Sequence, residues 1–126
     1  MIAKDVHHIS FAVAELERSK AFYEGILGLE PIARPDLGLP GLWYRAGSAE
    51  VHLIELPDGV DAGQPPAKLS PIANHQAFAI DDYRATVEAL RGHGLELIET
   101  GPERGQLWVA DPDGNVIELI APPETA

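Results

Sequence analysis

The chain has 126 residues, 45% hydrophobic and 23% charged, enough for one domain with a real core but not for two independent ones. Twenty acidic residues against nine basic give a net charge of −11, with no Lys/Arg cluster to displace counterions, so nucleic acid and anionic membrane surfaces are not expected partners. The absence of Cys excludes disulfides, thiolate metal sites and cysteine nucleophiles. No apolar run approaches the ~20 residues of a membrane helix, and Met1–Asp5 carries no apolar signal core, so the expected location is cytoplasmic.

Val6–Val13 is short and rich in β-branched and aromatic residues, which predicts a strand. Ile9, Phe11 and Val13 alternate toward a core, leaving His8, Ser10 and Ala12 on the opposite face. Leu16–Leu27 carries an apolar face from Leu16, Phe22, Tyr23, Ile26 and Leu27 and predicts a helix, closed by Gly28. Strands are predicted at Leu29–Arg34, Leu42–Ala46 and Glu50–Leu56. In the last of these, His52 and Ile54 face away from Val51 and Leu53. Trp43 and Tyr44 flank this region, and alternation alone leaves open which one faces inward.

Residues 57–73, rich in Pro, Gly and Ala, read as a linker between a first module at about 5–56 and a second at about 74–121. The second module repeats the order. His75–Ile80 is a predicted strand with His75, Ala77 and Ala79 on one face. Asp82 is an N-cap for a helix reaching His93, and Gly94 ends it. Strands Leu95–Glu99, Gln106–Ala110 and Val116–Ile120 follow, the last two joined by the turn sequence Asp111–Asn115.

The modules correspond by a nearly constant offset. His8 matches His75 (75 − 8 = 67), His52 matches Glu118 (118 − 52 = 66), and Leu27–Ile32 matches His93–Ile98 (94 − 28 = 66 at the glycines). Each module thus offers two candidate metal ligands, on its first and last strands, facing away from the helix. Three imidazoles and a carboxylate on one face need water, mutual pairing or a metal.

The strand His8–Val13, the helix Glu15–Tyr23 with its Leu27-Gly28-Leu29 exit, the strand Asn74–Ile80 and the hairpin Asp111–Leu119 together resemble the vicinal oxygen chelate superfamily. That superfamily includes glyoxalases, extradiol dioxygenases and bleomycin resistance proteins. The resemblance covers roughly residues 5 to 121. It implies an α+β fold of two tandem βαβββ modules forming an open, curled mixed β-barrel with helices outside. It also implies His8, His75 and Glu118 as ligands of a divalent metal ion (Zn, Ni, Mn, Co or Fe). His52 stands where glyoxalase I has a ligand Glu, and Ala12 where that enzyme has an Arg for glutathione. The fosfomycin enzymes' cationic C-terminal cluster has no counterpart in Ala121–Ala126.

Two imidazoles and a carboxylate leave coordination positions open for a substrate with two adjacent oxygens, which the metal would polarise as a Lewis acid. His52 reads as a fourth ligand, as an acid–base group beside the metal with Glu118 the other catalytic residue, or as a structural polar residue. Ser10, Gln106 and Trp108 share the ligand face and are expected to contact substrate, Trp108 as a stacking wall or as a large residue closing the barrel. His7 and His93 read as a surface and a helix-end residue. The leading expectation is a metal-dependent glyoxalase-like lyase or isomerase acting on a small molecule. The alternatives are an Fe(II) extradiol-type dioxygenase and a non-catalytic drug-binding protein. A homodimer is implied by the resemblance, with the halves pairing either within the chain or across two copies.

Overall fold

The computed structural model describes residues 1–124. Its contacts divide the chain into two compact units, Met1–Gly63 and Gln64–Ala126. Each unit is an open four-stranded mixed sheet with a helical segment, so the chain is α+β with two tandem modules. No helix among the described residues is long and apolar enough to cross a membrane.

In the first unit β1 (His8–Val13) pairs parallel with β4 (Ala49–Glu55), which pairs antiparallel with β3 (Gly41–Ala46), followed by the edge strand β2 (Glu30–Ile32). The register puts Phe11 beside Leu53 and Tyr44 beside Val51. Val13, Tyr44, Val51 and Leu53 are buried, and Tyr23 packs its ring 5.8 Å from that of Phe11. Each such side chain taken fully from water contributes about 1.5–3 kcal/mol, which holds the helical segment on this face. The Tyr44 hydroxyl donates to Glu24 at 3.2 Å, and burial and that carboxylate push the phenol pKa well above its ordinary range.

The segment expected as one helix over Leu16–Leu27 is α1 (Leu16–Lys20) running into wider π-type turns at Ala21–Ile26, where Leu27 N–H bonds Phe22 O at 2.9 Å. These turns carry both Phe22 and Tyr23 into the core. Gly28, at φ 74°, supplies the left-handed exit. Strand β2 is shorter than expected, and its Pro31 is tolerated because the strand lies at the sheet edge.

The second unit repeats this order: β5 (His75–Ala79) parallel to β8 (Val116–Ile120), then β7 (Gln106–Ala110), then β6 (Ile98–Gly101). Helix α2 (Tyr83–Gly92) begins where the Asp82 carboxylate accepts from Ala85 N–H at 3.0 Å, and it buries Tyr83, Val87 and Leu90 at i, i+4, i+7. Strand β6 starts three residues later than expected because Leu95 still belongs to the helix exit, its N–H bonding Leu90 O at 3.3 Å. The β7–β8 turn is held by Asp111, whose Oδ1 accepts from the Asp113 and Asn115 N–H groups at 2.9 Å.

Candidate functional site

Sheet register decides what shares the face opposite the helices. In the first unit Ser10 opposes His52 across β1–β4, and Trp43 opposes His52 across β4–β3. In the second unit Ala77 opposes Glu118 across β5–β8, and Trp108 opposes Glu118 across β8–β7. His8 lies two residues before Ser10, and His75 two before Ala77. The two halves therefore share one frame: a His, then a diagonal partner on the last strand, then a Trp beside that partner.

In the second half His75 Nε2 lies 2.9 Å from Glu118 Oε1. His75 Nδ1 lies 2.7 Å from the Ala73 carbonyl, which can only accept, so Nδ1 carries the proton. As an imidazolium the ring donates from Nε2 to the carboxylate; as a neutral ring it presents a bare Nε2 to a carboxylate oxygen. Two acceptors at that separation need a shared proton or a metal ion between them. Gln106 Nε2 donates to the other Glu118 oxygen at 3.3 Å.

The first half makes a three-ring stack. Trp43 lies flat on His52 at 4.0 Å between centroids and 4° between planes, and His52 lies on His8 at 4.1 Å and 15°. This answers which residue of the Trp43–Tyr44 pair faces the ligand side: Trp43 does, while Tyr44 is wholly in the core. His52 is buried and its Nε2 donates to Glu50 Oε1 at 2.9 Å. Arg45 holds the other Glu50 oxygen at 3.4 Å. The Glu50 carboxyl is held below its ordinary pKa, first by the His52 hydrogen bond and then by Arg45 and the His52 charge. The exposed His8 ring has its pKa lowered, chiefly by partial desolvation and then by the His52 and His7 imidazoles. Its Nδ1 lies 2.9 Å from His7 Nδ1.

A sequence profile of the Glyoxalase/Bleomycin resistance protein/Dioxygenase superfamily matches residues 5–119. The chain belongs to this superfamily. It is 31% identical over 125 residues to the lactoylglutathione lyase of Haemophilus influenzae, covering 90% of this chain and 89% of that protein. It is 28% identical over 120 residues to Glyoxylase I 4 of Arabidopsis thaliana, covering 90% and 68%. Among solved structures, a glyoxalase family protein of Bacillus anthracis superposes with a TM-score of 0.74 at 28% identity, covering 96% and 97%. TnmS3, an antibiotic binding protein of Streptomyces sp. CB03234, gives 0.72 at 25% identity, covering 97% and 98%.

For a glyoxalase-superfamily metal centre, the donor set is the test of fit. Within either unit the described residues group no three His, Asp or Glu side chains as a ready-made site. The His75–Glu118 pair nevertheless suits one by donor type, an imidazole nitrogen beside a carboxylate oxygen at 2.9 Å. The bond from His75 Nδ1 to the Ala73 carbonyl is of the kind that orients imidazoles at metal sites. The His8–His52 pair is arranged differently. An imidazole lone pair lies in its ring plane, and nearly parallel rings do not aim at a common ion.

Trp108 is buried, and its indole N–H has no hydrogen-bond partner among the described residues. Ser10 is exposed on the ligand face. Glu50 is the site residue that sequence reasoning passed over. It sits two residues before His52 on the same strand face, and the i, i+2 spacing was the available signal. A cavity of about 620 Å³ in the second unit is lined by Lys68, Glu96 and Val109, the last on the core side of β7 and not on the Trp108 side.

Proposed function

We propose that this superfamily member is a metal-dependent lyase or isomerase of glyoxalase type, with His8, His75 and Glu118 as the ligands of a divalent ion. The observation carrying this reading is the His75–Glu118 pair at 2.9 Å with Ala73 fixing the imidazole tautomer. When bound, the ion would supply Lewis-acid stabilisation to a substrate presenting two adjacent oxygens. The chain's own residues do the rest. Gln106 orients Glu118 by donating to its second oxygen. The unpartnered Trp108 N–H donates to a substrate oxygen, because a buried donor left unmade costs about 1–3 kcal/mol. Ser10 offers a hydroxyl from the strand position opposite His52.

His52 is assigned as the proton-transfer group beside the ligands and not as a fourth ligand. Its stacked placement supports this. Glu50 accepts from Nε2–H, so Nδ1 is the atom left to take up a proton from substrate. Glu118 takes part in catalysis through the ion it helps to hold. A homodimer in the cytoplasm is part of this reading.

The deciding measurement is metal content of protein purified without added metal, beside a His75→Ala variant. One first-row ion per chain, lost in the variant, supports the reading; iron together with oxygen uptake on catechols would replace it with a dioxygenase. The likeness to the antibiotic binding protein TnmS3 favours a second reading, a non-catalytic small-molecule binder. Failure of both proteins to take up metal on reconstitution would select it.

A further inference from the structure

We propose that Arg34 forms a carboxylate-binding subsite on the ligand face of the first sheet, so that the substrate carries an anionic group beside its two chelating oxygens. This rests on the chelating reading above.

Arg34 stands outside any assigned strand, yet its position follows from its neighbours. Pro35 disfavours helical backbone at the residue before it, so the chain continues the line of β2 past Ile32. Glu30 opposes Arg45 and Ile32 opposes Trp43, so the next same-face step along that line lies opposite Gly41. Gly41 has made room for it. A Cβ built there would lie 2.8 Å from both Cζ and Nε of Arg34, and 2.5 Å from the Leu53 carbonyl oxygen. Gly41 is two residues from Trp43 on the same strand, so the guanidinium occupies the face on which Trp43 stacks on His52. Two residues along a strand are roughly 6.6–6.8 Å, within reach of one small substrate.

Among the described residues nothing compensates the charge of this guanidinium. Arg34 Nε is buried with no hydrogen-bond partner, and Arg34 makes no ion pair among the described residues. Arg45, one step further along, is by contrast taken up by Glu50. In a chain with twenty acidic residues and nine basic ones, an unpaired, half-buried cation on the ligand face is poorly explained by packing alone. The planar guanidinium fork matches a carboxylate in a bidentate manner.

The second half shows what such a place does when filled. Gln106 pairs with Ile120 as Gly41 pairs with Ile54, at the constant offset of 66 (120 − 54). From that place Gln106 reaches Glu118. In the first half the same place is left to Arg34.

The test uses Zn²⁺-loaded protein and two chelating probes, catechol and 3,4-dihydroxybenzoate, whose affinities are measured by calorimetry for the unaltered chain, Arg34→Gln and Arg34→Lys. Circular dichroism checks that each is folded. The expected result is a preference for 3,4-dihydroxybenzoate over catechol that shrinks about tenfold in Arg34→Gln, with catechol affinity unchanged. Arg34→Lys, which keeps the charge without the fork, is expected between the two and serves if Arg34→Gln does not fold. A preference equal in all three proteins overturns the subsite and leaves the chelating reading standing. Failure of 3,4-dihydroxybenzoate alone to bind overturns the subsite, and failure of both probes overturns both readings.

Discussion

In the second half Gln106 reaches from β7 to Glu118, whereas at the matching place in the first half Gly41 has no side chain and the guanidinium of Arg34 lies against it. One row along, Glu50 in the first half corresponds to Val116 in the second (116 − 50 = 66), and each is the register partner of the first-strand His. Glu50 binds His52 and Arg45, while Val116 is a buried aliphatic side chain without polar atoms. The duplicated frame thus preserves where side chains stand and lets their chemistry diverge. The second half is built as a ligand pair, imidazole against carboxylate. The first half is built as an aromatic stack of Trp43, His52 and His8 flanked by Glu50 and Arg45.

The sharpest way to break this contrast is to remove the diagonal partners one at a time. His75→Ala should lower metal affinity by more than the roughly 10- to 100-fold typical of outer-sphere changes. His52→Ala should retain one ion per chain with affinity within about that outer-sphere range. Metal analysis with chelator competition reads both, and metal loss in His52→Ala would restore His52 as a ligand.

Making the halves alike should be costly. Gly41→Gln, which copies Gln106 into the first half, forces a Cβ against the Leu53 carbonyl and the Arg34 guanidinium. A loss of about 1–3 kcal/mol in urea unfolding is expected, the usual cost of overpacking. An unchanged midpoint would mean that Gly41 is not the seat described.

Gln106→Ala should leave stoichiometry at one ion and weaken metal binding by about tenfold, because Glu118 loses the donor that orients it. Equal affinity would reduce the Gln106–Glu118 contact to a by-product of the sheet register.

The smallest effect is on pH dependence in the metal-free protein. The His8 pKa lies below its ordinary 6.5 in the folded state, so the unfolded chain binds that proton more readily. Its contribution to stability is complete above pH 6.5 and is lost as pH falls through the folded pKa. Unfolding curves between pH 7.5 and about 5 should therefore slope less in His8→Gln. Identical slopes would mean that the neighbouring His52 and His7 do not act on His8 as the geometry implies.

Much of the frame was legible in the chain itself. Period-two alternation placed His8, Ser10 and Ala12 opposite Ile9, Phe11 and Val13, and the 66-residue offset matched His52 to Glu118 before any pairing was known. Asp82, Gly28 and Gly94 marked helix ends because capping and left-handed backbone are local demands. Less legible were the first helix's change to wider turns and the late start of β6, which depend on how the helices settle on their sheets. Glu50 and Arg34 went unread because neither belongs to the offset pattern. Glu50 has an apolar counterpart, and Arg34 gains its place through the missing side chain of a distant glycine.

Residue type and spacing thus determined the order of elements, the repeat and the face on which His8, His52, His75 and Glu118 stand, since a strand's two faces follow from its covalent geometry. Tertiary structure alone decided that His75 Nδ1 faces the Ala73 carbonyl and Nε2 faces Glu118, that His52 lies flat between Trp43 and His8, and that Arg34 has no carboxylate partner among the described residues. Those outcomes turn on side-chain orientation across neighbouring strands. Register brings such groups within a few ångströms, and no local sequence rule specifies how they then arrange.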